Sequence, residues 1–241
     1  MTRVAIVTGG TRGIGAAISK ALKAAGHTVA ASYAGNDEAA AKFKAETGIA
    51  TYKWDVGDFD ACAAGVAQVE KDLGPVDILV NNAGITRDGL FHKMTFEKWQ
   101  AVIKTNLDSA FTVTRPVIEG MRNRGFGRII LISSINGQKG QICQANYSAA
   151  KAGVIGFAKA LAQESAAKGI TVNVIAPGYI ATDMVMAVPE EVRNKIISTI
   201  PVGRLGEAEE IARAVEYLAA DDSGFITGST LTINGAQYIA G

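Results

Sequence analysis

The 241 residues contain only two cysteines, Cys62 and Cys143, and only two histidines, His27 and His92. Two lone thiols make no disulfide framework, which points to a reducing compartment. The histidines lie far apart, with no cysteine or carboxylate at ligand spacing, so no metal site is expected. An excess of one charge is lacking too: 24 basic residues face 23 acidic ones, a net charge of +1. That balance leaves no electrostatic footprint for nucleic acid. No apolar run reaches membrane-spanning length. The opening Met-Thr-Arg-Val-Ala-Ile-Val-Thr enters a strand pattern directly, with no basic and apolar leader before it. Repeats, low-complexity segments and linkers are also missing. A cytoplasmic protein folded as one domain over residues 1–241 is expected.

What the chain does contain is apolar residues at 48% and 27 glycines. Short β-branched runs alternate with longer alanine-rich stretches. Strands are expected at Arg3–Thr8, Thr28–Ser32, Ala50–Trp54, Val76–Asn81, Arg128–Ile132, Thr171–Ala176 and Thr230–Ile233. Helices are expected at Gly15–Ala25, Asp37–Thr47, Asp58–Leu73, Phe96–Glu119, Tyr147–Lys168 and Glu207–Ala219. Continuous apolar strands such as Ile129-Ile130-Leu131-Ile132 imply burial on both faces. This alternation predicts an α/β fold, a doubly wound parallel sheet flanked by helices. One long irregular stretch, Pro177–Ile200, follows a strand and is a candidate substrate lid.

Directly after the first strand, Thr8-Gly-Gly-Thr-Arg-Gly-Ile-Gly15 opens a helix. Gly9, Gly13 and Gly15 permit a tight turn and close approach to a pyrophosphate, whose charge suits a helix N-terminus. With Thr11, Arg12 and Ile14 they form a candidate dinucleotide cradle, spaced Gly-x-x-x-Gly-x-Gly. An NAD-selective site usually places an acid at the end of the second strand. Here Val29–Asn36 has no carboxylate before Asp37, and Arg12 is placed to meet a 2′-phosphate, so NADPH is expected. Asp55-Val56 closes the third strand, where Asp55 either bonds the adenine amino group or caps the next helix.

Tyr147 and Lys151 are an i, i+4 pair on one helical face. A free tyrosine ionises near pH ~10. A cation about 4 Å away, at an effective dielectric near 20, contributes roughly 4 kcal/mol, enough to bring that value toward neutrality. Such a phenol serves as a general acid or base. No Gly-x-Ser-x-Gly elbow surrounds Ser134, so nucleophilic serine chemistry is not expected. Cys143 reads as a small apolar filler.

Thr8–Gly15, Asn81-Asn82-Ala83-Gly84, Asn106, Ser134, Tyr147-x-x-x-Lys151 and Pro177-Gly178 together resemble the short-chain dehydrogenase/reductase family, over essentially the whole chain. The resemblance implies a single-domain Rossmann-like fold and roles for the matching positions. Tyr147 would protonate the alkoxide, and Ser134, favoured over Ser133 by family spacing, would hold the carbonyl oxygen. Lys151 would depress the tyrosine and bind the nicotinamide ribose. Asn106 would hold a proton-relaying water. Asn82, Ala83, Gly84, Ile85 and Thr86 would line the adenosine and ribose side. Pro177, Gly178, Tyr179, Ile180 and Thr182 would sit against the carboxamide. A homotetramer is implied, with Ala149, Ala152, Gly153, Gly156 and Ala160 allowing close helix approach and Trp99 near an interface.

Within the family, Asn81–Asn106 resembles β-ketoacyl thioester reductases. Ser133–Tyr147 and Pro177–Met184 resemble those acting on acetoacetyl-CoA in polyhydroxybutyrate synthesis. That likeness makes Asp88, Gln141, Gln144, Gly178 and Tyr179 substrate contacts, with Lys93 either near a CoA phosphate or simply solvated. Glutamine amides can bond a thioester or pantetheine amide without adding charge. The rival substrate is an acyl chain on an acidic carrier protein, for which Arg122, Arg124 and Arg128 would be the docking patch. A non-catalytic NADP-binding regulator is the third reading; the presence of Tyr147, Lys151, Ser134 and Asn106 weighs against it.

Overall fold

In the computed structural model, which describes residues 2–239, the alternation resolves into one seven-stranded parallel sheet. The strands are β1 (Val4–Val7), β2 (Thr28–Tyr33), β3 (Ala50–Lys53), β4 (Val76–Asn81), β5 (Gly127–Ile132), β6 (Ile170–Pro177) and β7 (Thr230–Ile233). Their order across the sheet is β3-β2-β1-β4-β5-β6-β7. The order reverses between β1 and β4, and a crevice opens beyond the carboxyl ends of the strands at such a switch point.

Side chains alternate across a strand, and here both faces are covered. Ile129 and Leu131 of β5 enter one core, shared with helices α3 (Phe59–Leu73), α5 (Ser109–Arg124) and α7 (Ala145–Ser165). Ile130 and Ile132 enter the other, shared with α1 (Gly13–Ala24), α2 (Asp37–Thr47) and α10 (Ala208–Ala219). The near-continuous apolar strands in the sequence reflect this double burial.

Three segments depart from the expected pattern. The single helix expected over Phe96–Glu119 is α4 (Phe96–Ile103) joined to α5 by a π turn at Lys104–Asp108. A hydrogen-bond pattern widened by one residue is invisible to periodicity, because the side chains remain helical in character. Helix α5 runs through Gly120 to Gly125, whose φ of 69° ends it in a left-handed cap. Short helix α6 (Ile135–Lys139) follows β5. The stretch expected to be irregular holds α8 (Asp183–Met186) and α9 (Glu190–Ser198). Pro189 precedes α9 and two glutamates occupy its first turn, both good helix-start signals.

The arginines weighed as a carrier-protein patch lie at the wrong end of the sheet. Gly127–Ile132 separates them from Ser134, roughly 20 Å at about 3.3 Å per residue. Arg128 is 3% exposed. Its guanidinium donates to the carbonyls of Ala220 (3.1 Å), Gly127 (3.0 Å) and Asp221 (2.9 Å) and stacks on Phe126 at 4.3 Å. Arg124 pairs with Asp77, and Arg122 donates to the Glu164 carbonyl. These cations close the base of the fold. Arg128→Ala, which strands three carbonyls, is expected to cost about 3 kcal/mol in urea unfolding while leaving kcat/KM within twofold of wild type.

Candidate active site

The crevice at the switch point is a cavity of about 860 Å³. Its wall runs from Ser32–Asn36 at the carboxyl end of β2, through the glycine turn, to Ser134, Tyr147 and Lys151. Thr8 organises the centre. Its hydroxyl accepts from the backbone N–H groups of Asn82 (2.9 Å) and Ala83 (3.0 Å), and Asn82 Nδ2 donates back to the Thr8 carbonyl (2.9 Å). The loops after β1 and β4 are thereby clamped together. Gly15 packs so closely that an added Cβ would lie 2.1 Å from the Gly9 carbonyl oxygen. Gly9 itself has φ +62°, a conformation that favours glycine.

Gly9, Thr11, Arg12, Gly13, Ile14 and Gly15 all line the cavity, as do Asp55, Val56, Asn82, Ala83, Gly84, Ile85, Thr86, Pro177, Gly178 and Thr182. Ile180 does not: it is buried, bridges to Gly206, and with Tyr179 lines a separate cavity of about 100 Å³. Asp55 accepts from the Gly57 N–H (2.9 Å), whereas Asp58 caps α3 through the Ala61 N–H (3.0 Å). The capping alternative for Asp55 therefore falls to Asp58. The sequence placed Thr8 in the glycine motif and Ser32–Asn36 at the cofactor end but did not show the clamp made by the Thr8 hydroxyl, because its partners Asn82 and Ala83 lie more than seventy residues away.

At the far end, Lys151 is 4% exposed and donates from Nζ to the Ile132 carbonyl at 2.7 Å. An ammonium has three donors, and Nζ lies in the cavity wall with one of them so engaged. Burial pushes its pKa down to about 8. Nζ lies over the Tyr147 ring, 5.7 Å from its centroid. Burial dominates at Tyr147 and raises its pKa. The nearby Ser134 hydroxyl acts in the opposite direction, and the charges of Asp88 and Tyr179 add to the rise.

The two serines have different partners. Ser133 Oγ donates to the Lys151 carbonyl at 2.7 Å, while Ser134 Oγ accepts from the Asn136 N–H at 3.1 Å and faces Tyr147. Asn106 sits in the π turn with both amide atoms engaged by Ile85: Oδ1 accepts from its N–H (2.8 Å) and Nδ2 donates to its carbonyl (2.9 Å). The loop at Gly84 passes close to both groups: a Cβ there would stand in ordinary contact with Asn106 Oδ1 at 3.4 Å and Lys151 Nζ at 3.5 Å. Asp88 and Gln144 are joined by a 2.9 Å hydrogen bond, whereas Gln141 pairs with Lys139 (3.0 Å). Among the described residues no cluster suited to a metal ion occurs.

A dinucleotide fits these residues: a glycine cradle at a helix N-terminus for the pyrophosphate, and a buried amine for ribose hydroxyls. Comparison with known proteins points the same way. The family model for short chain dehydrogenase matches residues 3–193. Acetoacetyl-CoA reductase of Shinella zoogloeoides is 70% identical over 239 residues, 99% of each chain. Acetoacetyl-CoA reductase of Rhizobium meliloti (strain 1021) is 69% identical over 241 residues, all of both chains. The 3-oxoacyl-(acyl-carrier-protein) reductase FabG of Haemophilus influenzae is 46% identical over 246 residues, 99% of each.

The depressed Lys151 carries a stability signature. Between about 8 and ~10.4 the unfolded chain holds a proton that the folded chain has released, so stability contributed at this site rises with pH across that window. Relative to Lys151→Met, the wild type is expected to gain on the order of 3 kcal/mol from pH 7 to pH 10.5, read from urea midpoints at both pH values. A constant difference would contradict the assignment.

Proposed function

The chain belongs to the short-chain dehydrogenase family, and from that premise we propose that it reduces acetoacetyl-CoA to (R)-3-hydroxybutyryl-CoA with NADPH, in poly(3-hydroxybutyrate) synthesis. As a family member it is an oxidoreductase acting on a CH–OH group with a nicotinamide cofactor. The observation that carries the finer reading is full-length identity of 70% and 69% with proteins named for that reaction, against 46% for the carrier-protein reductase. Arg128 is buried at the base of the sheet, so of the three arginines only Arg122 and Arg124 remain exposed for a carrier protein to meet.

Preference for NADPH rests on charge. The first carboxylate after β2, Asp37, is held by Lys53 at 2.8 Å and is absent from the cavity wall, while Arg12 is exposed within it. A 2′-phosphate beside Ser32–Asn36 would therefore meet a cation, with no carboxylate from that segment in the wall.

The bound nicotinamide supplies a hydride to the carbonyl carbon. Tyr147 gives its phenolic proton to the carbonyl oxygen, with Ser134 hydrogen-bonding that oxygen beside it. The raised proton affinity of Tyr147 keeps the phenol in its protonated form at neutral pH, the form that gives a proton to the developing alkoxide. Lys151 binds ribose hydroxyls and stabilises the phenolate left after transfer, and Asn106 keeps the loop at Ile85 fixed beside it. Helices α8 and α9 serve as the lid; α9 buries no residue fully. No helix among the described residues is long and apolar enough to cross a membrane, in keeping with a cytoplasmic role. Exposed Ala149, Ala152, Gly156 and Ala160 on α7 support a homotetramer.

NADPH consumption should be followed with acetoacetyl-CoA and acetoacetyl-carrier protein at matched concentrations. A kcat/KM at least tenfold higher for the CoA ester, with NADH poor, is expected; the opposite order would place the enzyme in fatty-acid elongation. Tyr147→Phe should lose nearly all kcat yet retain NADPH binding in a fluorescence titration. Near-wild-type turnover would remove Tyr147 from the mechanism.

A further inference from the structure

Asn136, Gln144 and Asp88 form a chain of side chains that the mechanism leaves unused. Asn136 is 7% exposed on α6, and its backbone N–H donates to Ser134 Oγ. Its Nδ2 donates to Gln144 Oε1 at 3.0 Å, and Gln144 Nε2 donates to Asp88 Oδ2 at 2.9 Å. Gln144 is the N-cap of α7, one turn before Tyr147. Two further contacts fix the loop that carries Asp88: Gly89 N–H donates to the Cys143 carbonyl (2.8 Å), and buried Asn146 Nδ2 donates to the Arg87 carbonyl (3.1 Å).

The direction of this chain is not free. An ionised carboxylate only accepts hydrogen bonds, so Asp88 must face the amide nitrogen of Gln144. The amide oxygen then faces α6, and Asn136 must offer its NH2 group. One hydrogen of Gln144 Nε2 remains after the bond to Asp88. We propose that Asp88 and Asn136 lock the polarity of the Gln144 amide, so that Gln144 meets the substrate as a hydrogen-bond donor to the thioester carbonyl. Asn136, which touches no substrate, is on this account a positioning residue. The inference rests on the β-ketothioester reading but not on the choice of carrier, since CoA and carrier-protein esters present the same carbonyl.

Asn136→Asp puts an acceptor at both ends of the chain. Whichever way the Gln144 amide turns, one acceptor then faces another, and the donor is lost or misdirected. KM is expected to rise about tenfold, the worth of one such bond, with kcat changing less than threefold. Gln144→Leu should raise KM similarly, and adding Asn136→Asp to it should raise KM no further. The exchange Asp88→Asn with Asn136→Asp reverses every bond consistently. It should recover the thermal stability lost in Asn136→Asp while KM stays high, because Gln144 then shows its oxygen to the substrate.

Assays use whichever thioester the wild type turns over. An unchanged KM in Asn136→Asp, additive effects with Gln144→Leu, or recovery of KM with stability in the exchange would each overturn the proposal. Failure of the β-ketothioester reading would show separately, as a wild type that reduces neither ester.

Discussion

Lys151 carries an ammonium where little water reaches it, and much of the architecture around the site can be understood as accommodating that charge. Its one hydrogen-bond partner among the described residues is the Ile132 carbonyl, the last of β5, where the strand ladder has ended and an acceptor is left over. Ser133 braces the backbone of Lys151 from the same strand end. The loop after β4 passes close to the amine at Gly84. A cation so enclosed binds hydroxyl oxygens strongly, because bulk water competes poorly for them.

The same strand ends hold the other half of the site. Thr8 ties the loop after β1 to the loop after β4 with a single hydroxyl, across the point where the sheet changes direction. The glycine turn and the loop at Asn82–Gly84 are therefore held in one arrangement at the ends of neighbouring strands. Helices α8 and α9 follow β6 beyond those strand ends.

Much of this was legible in the sequence because it depends on local pattern. Strand alternation, the glycine turn and the Tyr147–Lys151 spacing each report a backbone geometry that neighbouring residues dictate. The π turn at Asn106 was not legible, since the contact it serves, a bond to Ile85, lies in a loop outside the helix. Arg128 looked like surface charge, yet backbone carbonyls of Gly127, Ala220 and Asp221 converge on it only in the folded chain. The i, i+4 rule placed Lys151 beside Tyr147 but not the tilt that sets Nζ over the ring, and it carried no information about burial, which governs both proton affinities.

The π turn amounts to one extra residue threaded into a helix. Each residue turns an α-helix by about 100°, so regularising Lys104–Asp108 by deletion would rotate all of α5 about its own axis. Val113, Val117 and Met121, now in the core, would swing toward solvent. The irregularity that holds Asn106 against Ile85 also sets the phase of the α5 face that packs beneath the sheet. A lineage could not lose that defect gradually: the site and the core share one register, and a shift in either would have to be answered at once in the other.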